Sequence, residues 1–244
     1  MVQTTLSPSV TKAPAGDIDI VFVNPGEPAQ IYQSLSNEFS AIEPPAFAGL
    51  FATYARNKGA GVAIVDAPGE GLTVDAVAEK VVKDMKPTLV AMVVYGFQPS
   101  ASTQNMSAAR RTAKAIKALA PDLPIILTGT HPAALPERTV REEPVDFVCD
   151  LEGPITIVKT WEALKAGETD LSKVPSLWWR DTDGTVRKPS RPEGLVDDLD
   201  GEMPGIAWDL LPMGNYRSHD WHAFDHIHHR TPYAAIHTTL GCPY

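Results

Sequence analysis

Between residues 17 and 168, short apolar runs alternate with amphipathic stretches, and this alternation constrains the fold more than any other feature. Ile18-Asp19-Ile20-Val21-Phe22-Val23 is rich in β-branched residues and stops at Asn24-Pro25-Gly26, the pattern of a strand entering a turn. After Pro45, Phe47, Leu50, Phe51 and Tyr54 share one helical face, and Gly59 suits the helix end. Val62–Val65 reads as a second strand, closed by Asp66 and the turn Ala67-Pro68-Gly69. Thr73 is placed to cap a helix whose Val74, Val77, Val81 and Met85 form a stripe. Leu89–Tyr95 is an almost unbroken apolar run, as expected of a strand buried on both faces of a parallel sheet. Ser102–Leu119 has helical spacing, Ile125–Leu127 and Phe147–Cys149 read as strands four and five, and Pro154 suits the first turn of a last helix.

Five strands, each followed by one helix, predict an α/β fold with a doubly wound, five-stranded parallel sheet and helices on both faces. The order 2-1-3-4-5 of flavodoxin-like sheets is expected over a dinucleotide-binding one, because no G-x-G-x-x-G follows the first strand. Past residue 168 the alternation ends. Leu177–Arg180 and Thr185–Arg187 flank Asp181-Thr182-Asp183-Gly184 and predict a hairpin inside a linker spanning 169–232. Tyr233–Thr239 reads as a new strand opening a segment 233–244. Residues 1–16 are rich in Ser, Thr and Pro, without the apolar stretch of a signal peptide or anchor, and are expected to be a disordered tail.

The 244 residues carry a formal charge of −9, which argues against nucleic acid as a partner because phosphate binding needs clustered Lys and Arg. No apolar run reaches the roughly 20 residues that span a bilayer, so the cytoplasm is the expected compartment, with no membrane partner. Two cysteines, Cys149 and Cys242, make no disulfide framework. Cys149 lies in the apolar fifth strand and reads as core.

Ligands of open α/β sheets bind at the carboxyl ends of the strands. There stand Asn24, Pro25 and Gly26; Tyr95, Gly96, Gln98 and Ser100; Thr128, Gly129, Thr130 and His131; and Glu152 with Gly153. The glycines are expected to let the backbone approach a large flat ligand; on a purely structural reading they only shape turns. A Walker lysine is absent, which argues against a nucleoside triphosphate. His219, His222, His226, His228 and His229 crowd into eleven residues, yet no Cys or Glu motif completes a zinc site, and a polar wrap is the expected role.

Several motifs, in order, resemble B12-dependent radical S-adenosylmethionine (SAM) proteins. The Pro44–Asp66 run is similar to the start of their cobalamin-binding domain. Gly129-Thr130-His131-Pro132-Ala133-Ala134-Leu135-Pro136 resembles the family's G-G-P-H-P-T-A-L-P stretch. Asp146-Phe147-Val148 leading to Glu152-Gly153 is similar to its fifth-strand end, with Pro154 where the family usually has a second acid. Ala207–Met213 and Tyr233–Ile236 look like the segment joining that domain to the radical SAM barrel, and Thr238–Tyr244 resembles the opening of the C-x3-C-x2-C cluster motif.

The resemblance implies a cobalamin-binding domain over 17–168, with the residues at the strand ends as cofactor contacts, and a first barrel strand in 233–244. It implies Cys242 as a ligand of a [4Fe-4S] cluster that binds S-adenosylmethionine, with the other two cysteines beyond Tyr244. The chain alone is then expected to hold no cluster and to be inactive, and the small-molecule substrate would meet only the full-length parent, a methyltransferase or cyclase. The D-x-H-x-x-G motif that supplies a histidine below cobalt is absent after the first strand. That matches the radical SAM branch and leaves Tyr95, Gln98 and Ser100 as candidates for the lower face. Two further readings stand beside this one: a free-standing cobalamin carrier or sensor, and a scaffold that binds no cofactor.

Overall fold

In the computed structural model, which describes residues 17–27, 40–96, 99–181, 183–189, 195–219 and 229–237, the first strand β1 (Ile20–Asn24) lies between β2 (Val62–Asp66) and β3 (Leu89–Val93). β4 (Ile125–Thr128) and β5 (Phe147–Cys149) continue the sheet, and all five strands run parallel in the order 2-1-3-4-5.

The two-residue period of a strand divides the core into two layers. Ile20, Phe22, Leu89, Ala91 and Val93 face one layer, with Phe51 of helix α1 (Ala46–Asn57). Val21, Val23, Val90 and Met92 face the other, with Val77 of α3 (Val74–Glu79), beyond the single turn α2 (Ala67–Glu70). The long helix α4 (Pro99–Leu119) covers that second layer through Met106, Ala109, Ala113 and Ile116. Two short helices, α5 (Thr130–Ala134) and α6 (Pro136–Glu142), follow β4. Helix α7 (Pro154–Ala166) lies with α1 on the first face through Ile157, Val158 and Trp161. Phe22 is fully buried; burying a side chain of that size stabilises by about 1.5–3 kcal/mol. Thr73 does cap α3, its hydroxyl accepting from the Ala76 N–H at 3.3 Å.

The structure corrects four expectations. Among the described residues the sheet has seven strands: the predicted hairpin, β6 (Leu177–Arg180) and β7 (Val186–Arg187), pairs antiparallel onto β5 instead of standing in a separate linker. The edge drawn at residue 168 therefore does not separate two sheets. β5 is only three residues long but fully buried, and Leu177, Trp178 and Trp179 pair with Cys149, Val148 and Phe147 to complete its ladder. Ala67–Glu70, whose start was read as a turn, forms a helical turn, and the single helix expected after the fourth strand is split into Thr130–Ala134 and Pro136–Glu142. Residues 233–237 form no strand, because no neighbouring strand offers them a ladder.

A C-terminal stretch wraps along α1. It begins with the single turn α8 (Leu199–Glu202), passes Ala207, whose N–H donates to Gly49 O at 3.2 Å, and reaches Arg217, which pairs with Ile42. Among the described residues no helix is long and apolar enough to cross a membrane.

Candidate functional site

Four of the five parallel strands deliver their sequence-predicted residues to one edge. At the end of β1, Asn24 is half-buried and its amide donates to Asp66 Oδ1 at 2.8 Å, while Pro25 and Gly26 are buried. Beyond β3, Tyr95 turns beneath α1. Its ring stacks on Phe47 at 4.2 Å and 18° and meets Phe51 edge-on, and its hydroxyl donates to Glu152 O at 3.1 Å. Phe47 also touches the ring of His237 at 5.0 Å. Burial raises the Tyr95 phenol above its usual range, so it acts there as a neutral donor.

At the end of β4, Thr128 is fully buried. Its hydroxyl sits beside the Tyr95 phenol and the Cys149 thiol but completes no hydrogen bond. Ser102 ties β3 to β4: its hydroxyl donates to Val94 O and accepts the His131 N–H at 3.0 Å. The His131 ring reaches Thr103 Oγ1 at 3.0 Å, and Thr130 is exposed. After β5, burial raises the Glu152 carboxyl, and a hydrogen bond from the Val196 backbone acts against that rise. Cys149 is core, as expected, its thiol pushed up to about 11 by burial. Gln98 and Cys242 lie outside the described residues, as do His222, His226 and His228. Ser100 lies in the first turn of α4. Among the described residues no group of three or more His, Cys, Asp or Glu is placed to hold a metal.

The glycines do not leave empty space over the edge. A side chain on Gly26 would come 2.5 Å from Pro68, one on Gly96 would overlap Ala101, and one on Gly129 would overlap Val94 O. One on Gly153 would come 2.8 Å from Thr128 Oγ1 and 3.0 Å from Phe51. The close approaches these residues permit are made by the chain's own atoms. Gly129 and Gly153 also hold φ of 150° and 112°, conformations that favour glycine.

Sequence reasoning missed several residues at this edge. Asp66 was read as the end of a strand, but it is a fully buried carboxyl bound by Asn24 and by Tyr216, whose hydroxyl donates to Oδ2 at 2.8 Å. Desolvation pushes Asp66 up to about 6. Its sequence signal was an acid ending an apolar strand, where an exposed turn would have no reason to bury it. Glu43, just before α1, is half-buried and pushed up to about 7 by desolvation. Tyr216 had no signal, since nothing in a Pro- and Gly-rich stretch marks one tyrosine for complete burial. A cleft of about 790 Å³ lies elsewhere, against the hairpin, lined by Glu137, Leu171, Trp178, Trp179, Arg187 and Lys188 among others, and none of the predicted site residues lines it.

Two supports for an anionic or large polar ligand converge on the strand ends. Helices α1 and α7 point their N-termini toward this edge, and neither Pro45 nor Gly153, their N-cap residues, provides a side-chain cap. Free N–H groups and the helix dipole favour negative charge there. Beside Gly153, the N-cap of α7, lies the Thr128 hydroxyl, a buried group without a hydrogen-bond partner.

Against known proteins, the B12 binding domain family matches residues 37–159, half of the 244-residue chain. An uncharacterized methyltransferase of Pyrococcus horikoshii is 29% identical over 184 residues, 75% of this chain and 35% of that protein. The radical S-adenosylmethionine methyltransferase TsrM from Kitasatospora setae, solved with cobalamin and a [4Fe-4S] cluster bound, superposes with a TM-score of 0.54 at 19% identity over 75% of this chain and 30% of that one. The cobalamin-dependent S-adenosylmethionine radical enzyme OxsB, solved with aqua-cobalamin, gives 0.57 at 19% identity over 79% of this chain and 24% of that one. At that identity the two structures support the fold alone. The chain spans about a third or less of the length of each of these relatives.

Proposed function

The chain belongs to the B12 binding domain family, and from that premise we propose that it binds cobalamin across the carboxyl ends of β1, β3, β4 and β5. It does so as one module of a B12-dependent radical SAM enzyme, a methyltransferase or cyclase acting on an unactivated carbon of a small molecule. The observation that carries the reading is the buried, unpartnered Thr128 hydroxyl at the strand-end edge, beside the uncapped N-terminus of α7. A cofactor with a phosphodiester in its nucleotide tail and amide side chains around its ring matches those donors.

When bound, cobalamin supplies a cobalt centre able to carry a methyl group, and the protein positions it. The backbone N–H groups in the first turns of α1 and α7 would be available to the phosphodiester, and the Thr128 hydroxyl to a polar group of the ring. Asn24, Gly96, His131 and Glu152 stand at its rim. Because Tyr95 already donates to the Glu152 carbonyl, Gln98 and Ser100 are the better candidates for the lower face of the ring. The iron–sulfur cluster, S-adenosylmethionine and the substrate would belong to the whole enzyme, with Cys242 as a cluster ligand.

A second reading, a scaffold that binds no cofactor, draws support from the glycines, whose spaces the chain fills itself. Titration of the purified chain with hydroxocobalamin separates the two. Retention of about one equivalent through gel filtration, with a Co(II) resonance free of nitrogen splitting, is expected. A triplet lost in His131→Ala would put a histidine on cobalt and contradict the lower-face assignment; no retention would leave the scaffold.

A further inference from the structure

Asp66 lies where three segments of the chain meet. It is the register partner of Asn24 across β1 and β2, so it stands at the same sheet edge as the loop 24–26. Its carboxyl is fully buried and is held by neutral donors: the Asn24 amide at 2.8 Å, the Tyr216 hydroxyl at 2.8 Å and the Gly69 backbone. The charged neighbour is Glu70, whose Oε1 accepts the Asp66 N–H at 3.1 Å while its other oxygen pairs with Lys80. A buried carboxyl is tolerable only while its donors stay in place. Each donor therefore depends on the other two.

The donors come from different parts of the chain. Asn24 ends β1 and leads into the β1 loop, which packs on α2 through Gly26 and Pro68. Gly69 sits in α2 itself, and its carbonyl accepts the Asn215 amide at 3.0 Å. Tyr216 is fully buried, its ring so close that a side chain on Gly69 would lie 2.7 Å from it. Tyr216 belongs to the C-terminal stretch, which at this point forms 3-10 turns and a single bridge to Ile42. Among the described residues that stretch contributes no strand to the sheet; it is held on the domain by Ala207, Leu210, Leu211 and Tyr216, buried in the layer that contains α1, and by the Arg56–Asp209 ion pair, so its seating and the geometry around Asp66 change together.

We propose that the seating of residues 206–219 is coupled to cobalamin binding, with Asp66 linking it to the β1 end that meets the cofactor. The proposal rests on the cobalamin-binding reading above. When Tyr216 leaves, Asp66 loses a donor and opens to water, and Asn24 loses the partner that fixes the loop. By the reciprocity of linked equilibria, a ligand that pins the loop must strengthen docking of 206–219 by the same factor. Asp66 and Tyr216 are positioning residues in this scheme, since neither touches the cofactor.

The test uses the whole chain with hydroxocobalamin as the probe. Affinity is measured by absorbance, and hydrogen exchange over 206–218 is followed with and without the probe, for wild type, Tyr216→Phe and Asn215→Ala. The second variant removes only the tie to Gly69 O and leaves the buried ring in place, so it still reports if Tyr216→Phe fails to fold. The proposal expects wild type to gain protection over 206–218 on binding. It expects each folded variant to lose affinity by at least about fivefold, the lower end of coupling between protein sites, and to lose that gain in protection. A merely structural role for Tyr216 would slow or speed exchange equally with and without the probe. If wild type binds while the folded variants bind equally well and ligand leaves 206–218 unchanged, the coupling is wrong. If wild type does not bind, the cobalamin reading fails first and takes this proposal with it.

Discussion

Gly129→Ala is expected to destabilise the fold by about 4 kcal/mol. Gly129 holds φ 150° and ψ 169°, a region essentially restricted to glycine, and forcing another residue there costs on the order of 1–3 kcal/mol. The new methyl group would also overlap the Val94 carbonyl oxygen, which accepts the Ser102 hydroxyl, and the Val94 N–H donates to Thr128 O at 2.7 Å. Relieving the overlap pulls β3 from β4 and breaks one of these bonds, a further loss of about 1–3 kcal/mol when a buried group is left unpaired. Gly59→Ala is the control. It carries a positive φ of 90° with nothing near its would-be side chain, so only the backbone term applies, about 1 kcal/mol. Urea unfolding followed by far-UV circular dichroism reads both, through the midpoint at unchanged slope. A loss below about 1 kcal/mol for Gly129→Ala, or no difference between the two variants, would refute the argument from close approach.

Three further outcomes are expected. Asp66 titrates at about 6 in the fold and near ~3.9 when unfolded, so its contribution is fully present below about pH 4 and is lost as pH rises through about 6. Set against Asp66→Asn at each pH, wild-type stability should fall by on the order of 2 kcal/mol between pH 4 and pH 7, and a constant difference would contradict the burial argument. In a Cys242→Ser background, the Cys149 thiol, pushed up to about 11, should react with a thiol reagent at pH 8 only after denaturant is added; rapid labelling of that folded variant would place Cys149 outside the core. Thr128→Val removes a hydroxyl that has no partner, so the chain without cofactor should change stability by less than about 1 kcal/mol while hydroxocobalamin affinity falls severalfold. Calorimetry reads both, and unchanged affinity would remove Thr128 from the site.

Much of the fold was written in periodicity. Runs such as Leu89–Tyr95 could only be strands covered on both faces, and the stripes of Met106, Ala109, Ala113 and Ile116 and of Val77 and Val81 lie where a doubly wound sheet needs them. What escaped was decided by partners distant in the chain. Tyr233–Thr239 has a strand's composition, yet residues 233–237 find no ladder, while the short β6 gains one by meeting β5. Strand propensity is a preference for a pleated, half-buried surface, and the surface has to exist. The candidate site was legible as a set of strand ends because topology fixes where such ends gather. The glycines left two readings open, since residue type reveals that the backbone is approached closely but not by what. Asp66 and Tyr216 were hidden for a related reason: their burial depends on each other across 150 residues.

The central claim is the location of the cofactor, and the structure of this chain solved with hydroxocobalamin present tests it most directly. One cobalamin is expected across the ends of β1, β3, β4 and β5, with its phosphodiester near the N-terminus of α1 or α7 and a donor or acceptor within hydrogen-bond reach of Thr128 Oγ1. Cobalamin in the cleft lined by Trp178, Trp179 and Arg187, or none bound at all, would contradict it.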